Sequence, residues 1–167
     1  LRPHIRRGLN PLSFKLRDVP LLSRVGADRA DSVRTDVDAA IAGWPDALLL
    51  RVDNRSQVLV IDAQVVLTPA ADFAEKPPAD AVFLGRMDDG RHIWAVRAEL
   101  VPPAEGQARV IEPRRGGVRF EDTSAQPVAC ALALLNWHDN SRFSPVDGSP
   151  TRSIRAGWAR RNPLSGE

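Results

Sequence analysis

The sequence predicts an α+β fold: a largely antiparallel sheet with two main helices, followed by a small terminal hairpin unit. Three observations carry this. Strand-like runs separated by turn residues fill most of positions 47–111, one amphipathic stretch precedes them, and a second stretch, apolar on nearly every side, follows them. The order helix, several hairpin strands, helix belongs to α+β proteins, not to alternating α/β units. At 167 residues and 43% hydrophobic, the chain can bury a core of its own, so one domain plus a small appendage is expected.

Residues 1–20, "LRPHIRRGLNPLSFKLRDVP", hold three prolines and mixed charge without a period, and read as an irregular arm. The arm is basic but has no continuous apolar stretch, so a secretory signal is not supported. An N-terminal α+β domain is expected over 21–122. It opens with a helix over about 29–43 for which Asp28 can serve as cap. Val33, Val37, Ile41 and Trp44 share one face of that helix, and Pro45 ends it. "ALLLRVD" and "SQVLVIDAQVVL" are strand-like and read as a hairpin across the polar turn between them. "AVFLGR" and "RHIWAVRAEL" flank "MDDG", whose Asp-Gly favours a tight turn, giving a second hairpin. A short edge strand is expected around 108–111.

The second helix, over 123–141, is the strongest secondary-structure signal. Ser124 can cap it, and Pro127 is placed in its first turn, where a missing N–H costs little. Val128, Leu132 and Leu135 form one stripe; Cys130, Leu134 and Trp137 form another. A helix apolar all round is sandwiched between layers, so it is expected to meet the sheet with one stripe and the terminal unit with the other.

Composition bounds the rest. No run of eighteen apolar residues exists, so no membrane span is expected. The single cysteine, Cys130, excludes an intrachain disulfide and fits a reducing cytoplasm. Net charge is +2, and of 23 basic residues all but Lys15 and Lys76 are arginine. With abundant Ala and Pro, that bias reads as GC-rich coding, not as a phosphate-binding device. Arginines and a lysine cluster at both ends: Arg2, Arg6, Arg7, Lys15 and Arg17, then Arg142, Arg152, Arg155, Arg160 and Arg161. A solvated face or the flank of a partner domain is favoured over a nucleic-acid surface.

The terminal segment, 142–167, has the outline of a zinc ribbon without its sulfurs. Ser144 and Asp147 are separated by two residues, as are Asn162 and Ser165, with fourteen between the pairs. That is the arrangement of a four-cysteine structural site. Gly148 and Gly166 each follow the second position of a pair, where a left-handed backbone is needed. The chemistry does not follow the geometry: a serine hydroxyl and an Asn carbonyl are poor zinc ligands, and one carboxylate holds no structural zinc. Zinc is therefore expected to be absent. Ser, Asp and Asn oxygens instead accept hydrogen bonds from backbone N–H groups two or three residues on, and are expected to cap both turns. A structural zinc contributes on the order of 10 kcal/mol to a small finger and a capped turn about 1 kcal/mol. The segment should therefore lean on its neighbours, through Phe143, Ile154 and Trp158 against the second helix.

"FLGRMDDGRHIWAV", "GGVRF…ALALLNWHDNSRFSPVDG" and the "GW" before the second turn resemble the NADH pyrophosphatase family of the Nudix superfamily, from about residue 12 onward. In that family a Nudix-like α+β domain is followed by a four-cysteine zinc ribbon and a catalytic Nudix domain. The resemblance implies hydrolysis of the pyrophosphate of NADH or NAD to AMP and nicotinamide mononucleotide, removal of NAD caps from RNA in some members, and a homodimer. It implies Mg²⁺ or Mn²⁺ held by the glutamates of a Nudix box. This sequence has no such box: Glu75, Glu99, Glu105, Glu112, Glu121 and Glu167 stand singly. The catalytic Nudix domain is thus expected to be absent from this chain, through truncation by design or by proteolysis. No catalytic, cofactor-binding or metal residue is carried over, and this piece alone is expected to be inactive. An actinobacterial source and a cytoplasmic location are expected. The alternative is a stand-alone Arg-rich module that binds nucleic acid or protein.

Other candidates have structural readings. His4, His92 and His138 are far apart in sequence, and His138 ends a helix, where it can meet free carbonyls. Cys130 reads as a small buried hydrophobe. Asp88-Asp89 is accounted for by its turn. Trp44, Trp94, Trp137 and Trp158 are expected in the core. "RRGG" at 114–117 lacks the strand-to-helix context of a phosphate loop.

Overall fold

The computed structural model describes residues 26–103, 107–115, 120 and 122–166. The arm 1–20 with His4 and the N-terminal basic cluster lies outside them, as do the glycines of "RRGG".

Two short helices, α1 (Asp31–Thr35) and α2 (Val37–Ala42), stand where one helix over 29–43 was expected. Asp36 breaks the run: its backbone is extended, at φ −102° and ψ 91°, and its carboxylate accepts from the Ala39 N–H as the cap of α2. Asp28 caps neither helix. Its Oδ1 accepts from Ala30 N, and its backbone pairs with Arg86. The break turns the predicted stripe apart, so Val33 and Trp44 are buried whereas Val37 and Ile41 are exposed.

The main sheet has the order β4-β1-β6-β5, from β1 (Leu48–Val52), β4 (Leu67–Pro69), β5 (Val82–Arg86) and β6 (His92–Arg97). The β5–β6 hairpin over "MDDG" forms as the Asp-Gly turn predicts, with Gly90 at φ 86°. The first predicted hairpin does not form. β1 pairs with β4 and, in parallel, with β6. β2 (Val58–Ile61) instead belongs to a second sheet, β3-β2-β7, with β3 (Gln64–Val65) and β7 (Arg109–Ile111). The turn at 53–57, where Asp53 Oδ1 accepts from Arg55 N and Gln57 N, hands the chain from one sheet to the other. All pairings but β1–β6 are antiparallel.

Alternation along the strands builds two cores. Leu50, Val52, Val82, Leu84, Ile93 and Ala95 face helix α3 (Asp122–Asn140) and its Val128, Ala131, Leu132 and Leu135. Leu49, Phe83, Trp94 and Val96 face the other way, into Val33, Ala40 and Trp44. The rings of Trp44 and Phe83 meet that of Trp94 edge-on, at centroid distances of 5.5 and 5.3 Å.

Helix α3 starts at Asp122, so Ser124 lies within it, and its Oγ accepts from Val65 N. Pro127 is the sixth helical residue, past the first turn. Gln126 Oε1 accepts from Gly26 N and Ala27 N, tying the start of the described chain to the helix. At the other end Arg97 bridges Asp139 Oδ2 at 2.9 Å and the Asp53 carbonyl at 2.7 Å. No helix among the described residues is long and apolar enough to cross a membrane.

Candidate functional site: the terminal ribbon

Past α3 the chain makes a turn, the short hairpin β8 (Arg152–Ile154) and β9 (Ala159–Arg161), and a second turn. Gly148 and Gly166 take positive φ, 71° and 77°. Their N–H groups donate to the carbonyls of Ser144 and Asn162, both at 2.9 Å, so the two turns have the same closure.

The side-chain oxygens sit inside these turns. Ser144 Oγ accepts from Val146 N at 3.2 Å, Asp147 Oδ1 from Ser149 N at 2.9 Å, and Asn162 Oδ1 from Leu164 N at 2.9 Å. One bond joins the turns: Asn162 Nδ2 donates to Asp147 Oδ2 at 2.8 Å. Ser149's N–H foremost, and Asn162's amide next, hold the Asp147 carboxyl below its ordinary pKa, with a smaller contribution from Ser144. Ser144, Asp147 and Asn162 are thus brought together, and Ser144 and Asn162 are buried. Ser165 is exposed in the second turn.

This donor set does not fit zinc. The Asp147 carboxylate is already bonded by two N–H groups, one of them the Asn162 amide, and the Asn162 carbonyl is taken by Leu164 N. The remaining oxygens at these positions belong to neutral hydroxyls. Among the described residues, no group of three or more His, Cys, Asp or Glu side chains could hold a metal ion.

The ribbon does lean on the rest of the molecule, but through other contacts than expected. Phe143 is 63% exposed and makes no anchor against α3. Trp158 reaches the sheet instead, donating Nε1–H to the Phe83 carbonyl at 2.5 Å beneath the Arg34 guanidinium, which lies 4.1 Å from its ring centroid. Between β8 and β9, Arg155 and Ala156 take φ of 51° and 49°, and Gly157 takes 91°. A Cβ on Gly157 would lie 2.5 Å from Val82 Cγ1 and 2.8 Å from Val82 Cα, so glycine alone lets the turn close onto β5.

The third anchor is His138. It is 5% exposed and bonds the Gly157 carbonyl through Nε2 at 2.7 Å, while Nδ1 faces Arg160 Nη1 at 2.6 Å. The carbonyl accepts and the guanidinium donates, which assigns the neutral imidazole with its proton on Nε2. Burial foremost lowers the pKa of His138; the Gly157 bond raises it and Arg160 lowers it.

The sequence placed His138 at a helix end facing free carbonyls; the carbonyl it meets is that of Gly157, 19 residues on, and its other partner, Arg160, is 22 residues on. Cys130 is half-buried against the α3 core, and burial raises its thiol pKa. Trp44 and Trp94 are core residues as expected, Trp158 is half-buried, and Trp137 is 39% exposed.

The NADH pyrophosphatase zinc ribbon domain matches residues 139–164. The chain is 58% identical over 157 residues to the proteins named NAD-capped RNA hydrolase NudC of Mycobacterium tuberculosis (strain ATCC 25618 / H37Rv) and Mycobacterium bovis (strain BCG / Pasteur 1173P2). The match covers 93% of this chain and 50% of each relative, so the chain spans about half the length of the curated relatives it matches. The ribbon outline around Ser144, Asp147, Asn162 and Ser165 and this long match agree: the chain belongs to the NADH pyrophosphatase family of the Nudix superfamily.

Proposed function

We propose that this chain is the non-catalytic N-terminal portion of an NAD(H) diphosphatase. The parent enzyme splits the pyrophosphate of NADH or NAD, free or as an RNA cap, into AMP and nicotinamide mononucleotide. The observation that carries the reading is the 58% identity over 93% of the chain to NAD-capped RNA hydrolases of which it spans half. The sequence holds no Nudix box, so the Mg²⁺ or Mn²⁺ that neutralises the diphosphate and activates water belongs to a catalytic domain outside these residues.

The work of this portion is scaffolding and dimerisation. Its parts are the arm 1–20, the α+β domain 21–122, the connecting helix 123–141 and the ribbon 142–167, which holds its shape without zinc. Exposed Val37 and Ile41, beside Pro77, Pro78 and Ile154, offer an apolar surface for self-association. The parent is a cytoplasmic enzyme, and the mycobacterial relatives support an actinobacterial source.

The test compares this chain with a form extended through a Nudix box, each supplied with NADH and Mg²⁺ or Mn²⁺. Turnover is expected only from the extended form. Dinucleotide cleavage by the 167-residue chain alone would overturn the assignment, and sedimentation of either form as a monomer would remove the dimerisation role.

A further inference from the structure

The ribbon carries an open groove with aromatic walls. Trp137 and Phe143 line it together with Val146, Thr151 and Arg160, around a volume of about 470 Å³. A neighbouring groove of about 460 Å³, lined by Asp80, Arg152 and Ser153, shares Thr151 and Arg160 with the first, so the two run together. At their junction the Arg160 guanidinium is bonded only by neutral groups: the Thr151 hydroxyl at 2.7 Å, the Thr151 carbonyl at 2.9 Å and His138 Nδ1 at 2.6 Å. Among the described residues, no carboxylate forms an ion pair with it. Burial foremost, and Arg142 next, lower its pKa, which places a second guanidinium near the first. The Arg142 side chain is 69% exposed, with a long 3.8 Å contact to Asp139.

Between residues 142 and 166 five arginines (Arg142, Arg152, Arg155, Arg160 and Arg161) stand against the single carboxylate of Asp147. A cation held by neutral partners is matched by an anion, and the phosphodiester is the anion whose own substituents stack on aromatic faces. Duplex bases are already stacked and shielded, so exposed rings select single strands.

We propose that this groove binds a single-stranded RNA segment, with bases stacked on Trp137 and Phe143 and phosphates on Arg160, Arg142 and Arg152. The proposal rests on the reading above in that the parent acts on RNA, and it gives the ribbon the strand that follows the cap. Asp80 marks the end of the groove least suited to phosphate. A second copy of the chain suits this surface less well, because pairing ribbon to ribbon would bring two sets of arginines together.

Fluorescence anisotropy of the 167-residue chain with a labelled 12-nucleotide single-stranded RNA tests this directly. For three phosphate contacts, affinity should fall about 20-fold between 50 and 200 mM salt. Phe143→Ala, at an exposed position, should weaken binding about tenfold through lost stacking. Arg142→Gln should flatten the salt slope, and Arg109→Gln, outside the groove, should not. Equal affinity for a duplex of the same sequence, with no effect of Phe143→Ala, would overturn the proposal, leaving charge attraction alone. So would absence of RNA binding combined with a chain mass that doubles with concentration and reverts in Phe143→Ala, which would give the surface to a second copy. NAD turnover by the extended form is read separately: if it is present while RNA binding is absent, the parent assignment stands and the groove proposal fails.

Discussion

The main sheet and the terminal ribbon solve the same problem with different materials. Around the sheet, Trp44, Phe83, Leu49, Leu50, Leu84, Ile93 and Leu135 are all but fully buried, and two layers cover its faces. In the ribbon the buried side chains are Ser144 and Asn162, while Phe143, Val146 and Leu164 are exposed. Apolar burial is worth about 25 cal/mol per Å², and a net hydrogen bond about 1 kcal/mol. The ribbon therefore has little folding free energy of its own, and its order derives from three attachments: Trp158 to Phe83, Gly157 to Val82, and His138 to both Gly157 and Arg160. A small unit whose turns are held by hydrogen bonds depends on the surface it sits on.

The comparison is most strongly challenged by restoring the sulfurs. Ser144→Cys, Asp147→Cys, Asn162→Cys and Ser165→Cys made together should bind one zinc per chain in a chelator-competition titration. The metal-linked stabilisation is expected on the order of 10 kcal/mol, which would turn the ribbon into the more independent of the two regions. No uptake would mean that the two turns do not converge as a metal knuckle does.

Next comes the sheet itself. Phe83→Ala should cost about 3–5 kcal/mol, read as a lower denaturation midpoint for the whole protein. Gly157→Ala acts on the other side of the comparison. The strained positive φ and the overlap with Val82 should cost about 2–3 kcal/mol, but as local detachment. Trp158 fluorescence and ribbon amide exchange should respond at conditions where the sheet remains protected. Simultaneous loss of both regions would show that they fold as one unit.

The smallest effect is a pH dependence of the ribbon attachment. The folded-state pKa of His138 lies below its ordinary value of 6.5, so the neutral form is the one the fold holds. Its contribution is then complete above about pH 6.5, is lost as pH falls below that, and levels off once the folded-state pKa is passed. Protonation would place an N–H against Arg160, with Arg142 behind it and, among the described residues, Asp139 and Asp80 of opposite sign in the surroundings. Ribbon amide exchange should rise as pH falls through that window, after correction for intrinsic rates, and His138→Gln should remove the dependence. The pKa of His92 is also lowered, by burial foremost, and its ring packs against that of Phe83 at 5.0 Å, so His92→Gln is the parallel variant that separates its titration from that of His138.

The sequence by itself determined what depends on short range. The Asp-Gly turn made the β5–β6 hairpin, the all-round apolar run made α3, and the two Gly-closed turns with their oxygen acceptors made the ribbon outline. In each case the residues that decide the geometry are within a few positions of one another. Tertiary structure decided where those pieces went. β1 and β2 look like a hairpin locally, but β1 is buried on both faces beside β6, a partner 45 residues on (Leu48 to Ile93) that a turn propensity cannot see. The helix expected over 29–43 breaks because Asp36 gains a cap bond and the break lets Val33 and Trp44 reach the same core. Phe143 and Trp158 are both aromatic residues in an apolar context. Only the path of the chain across β5 half-buries Trp158 and leaves Phe143 facing the groove, since apolar surface is driven out of water by contact, and contact is fixed by the fold.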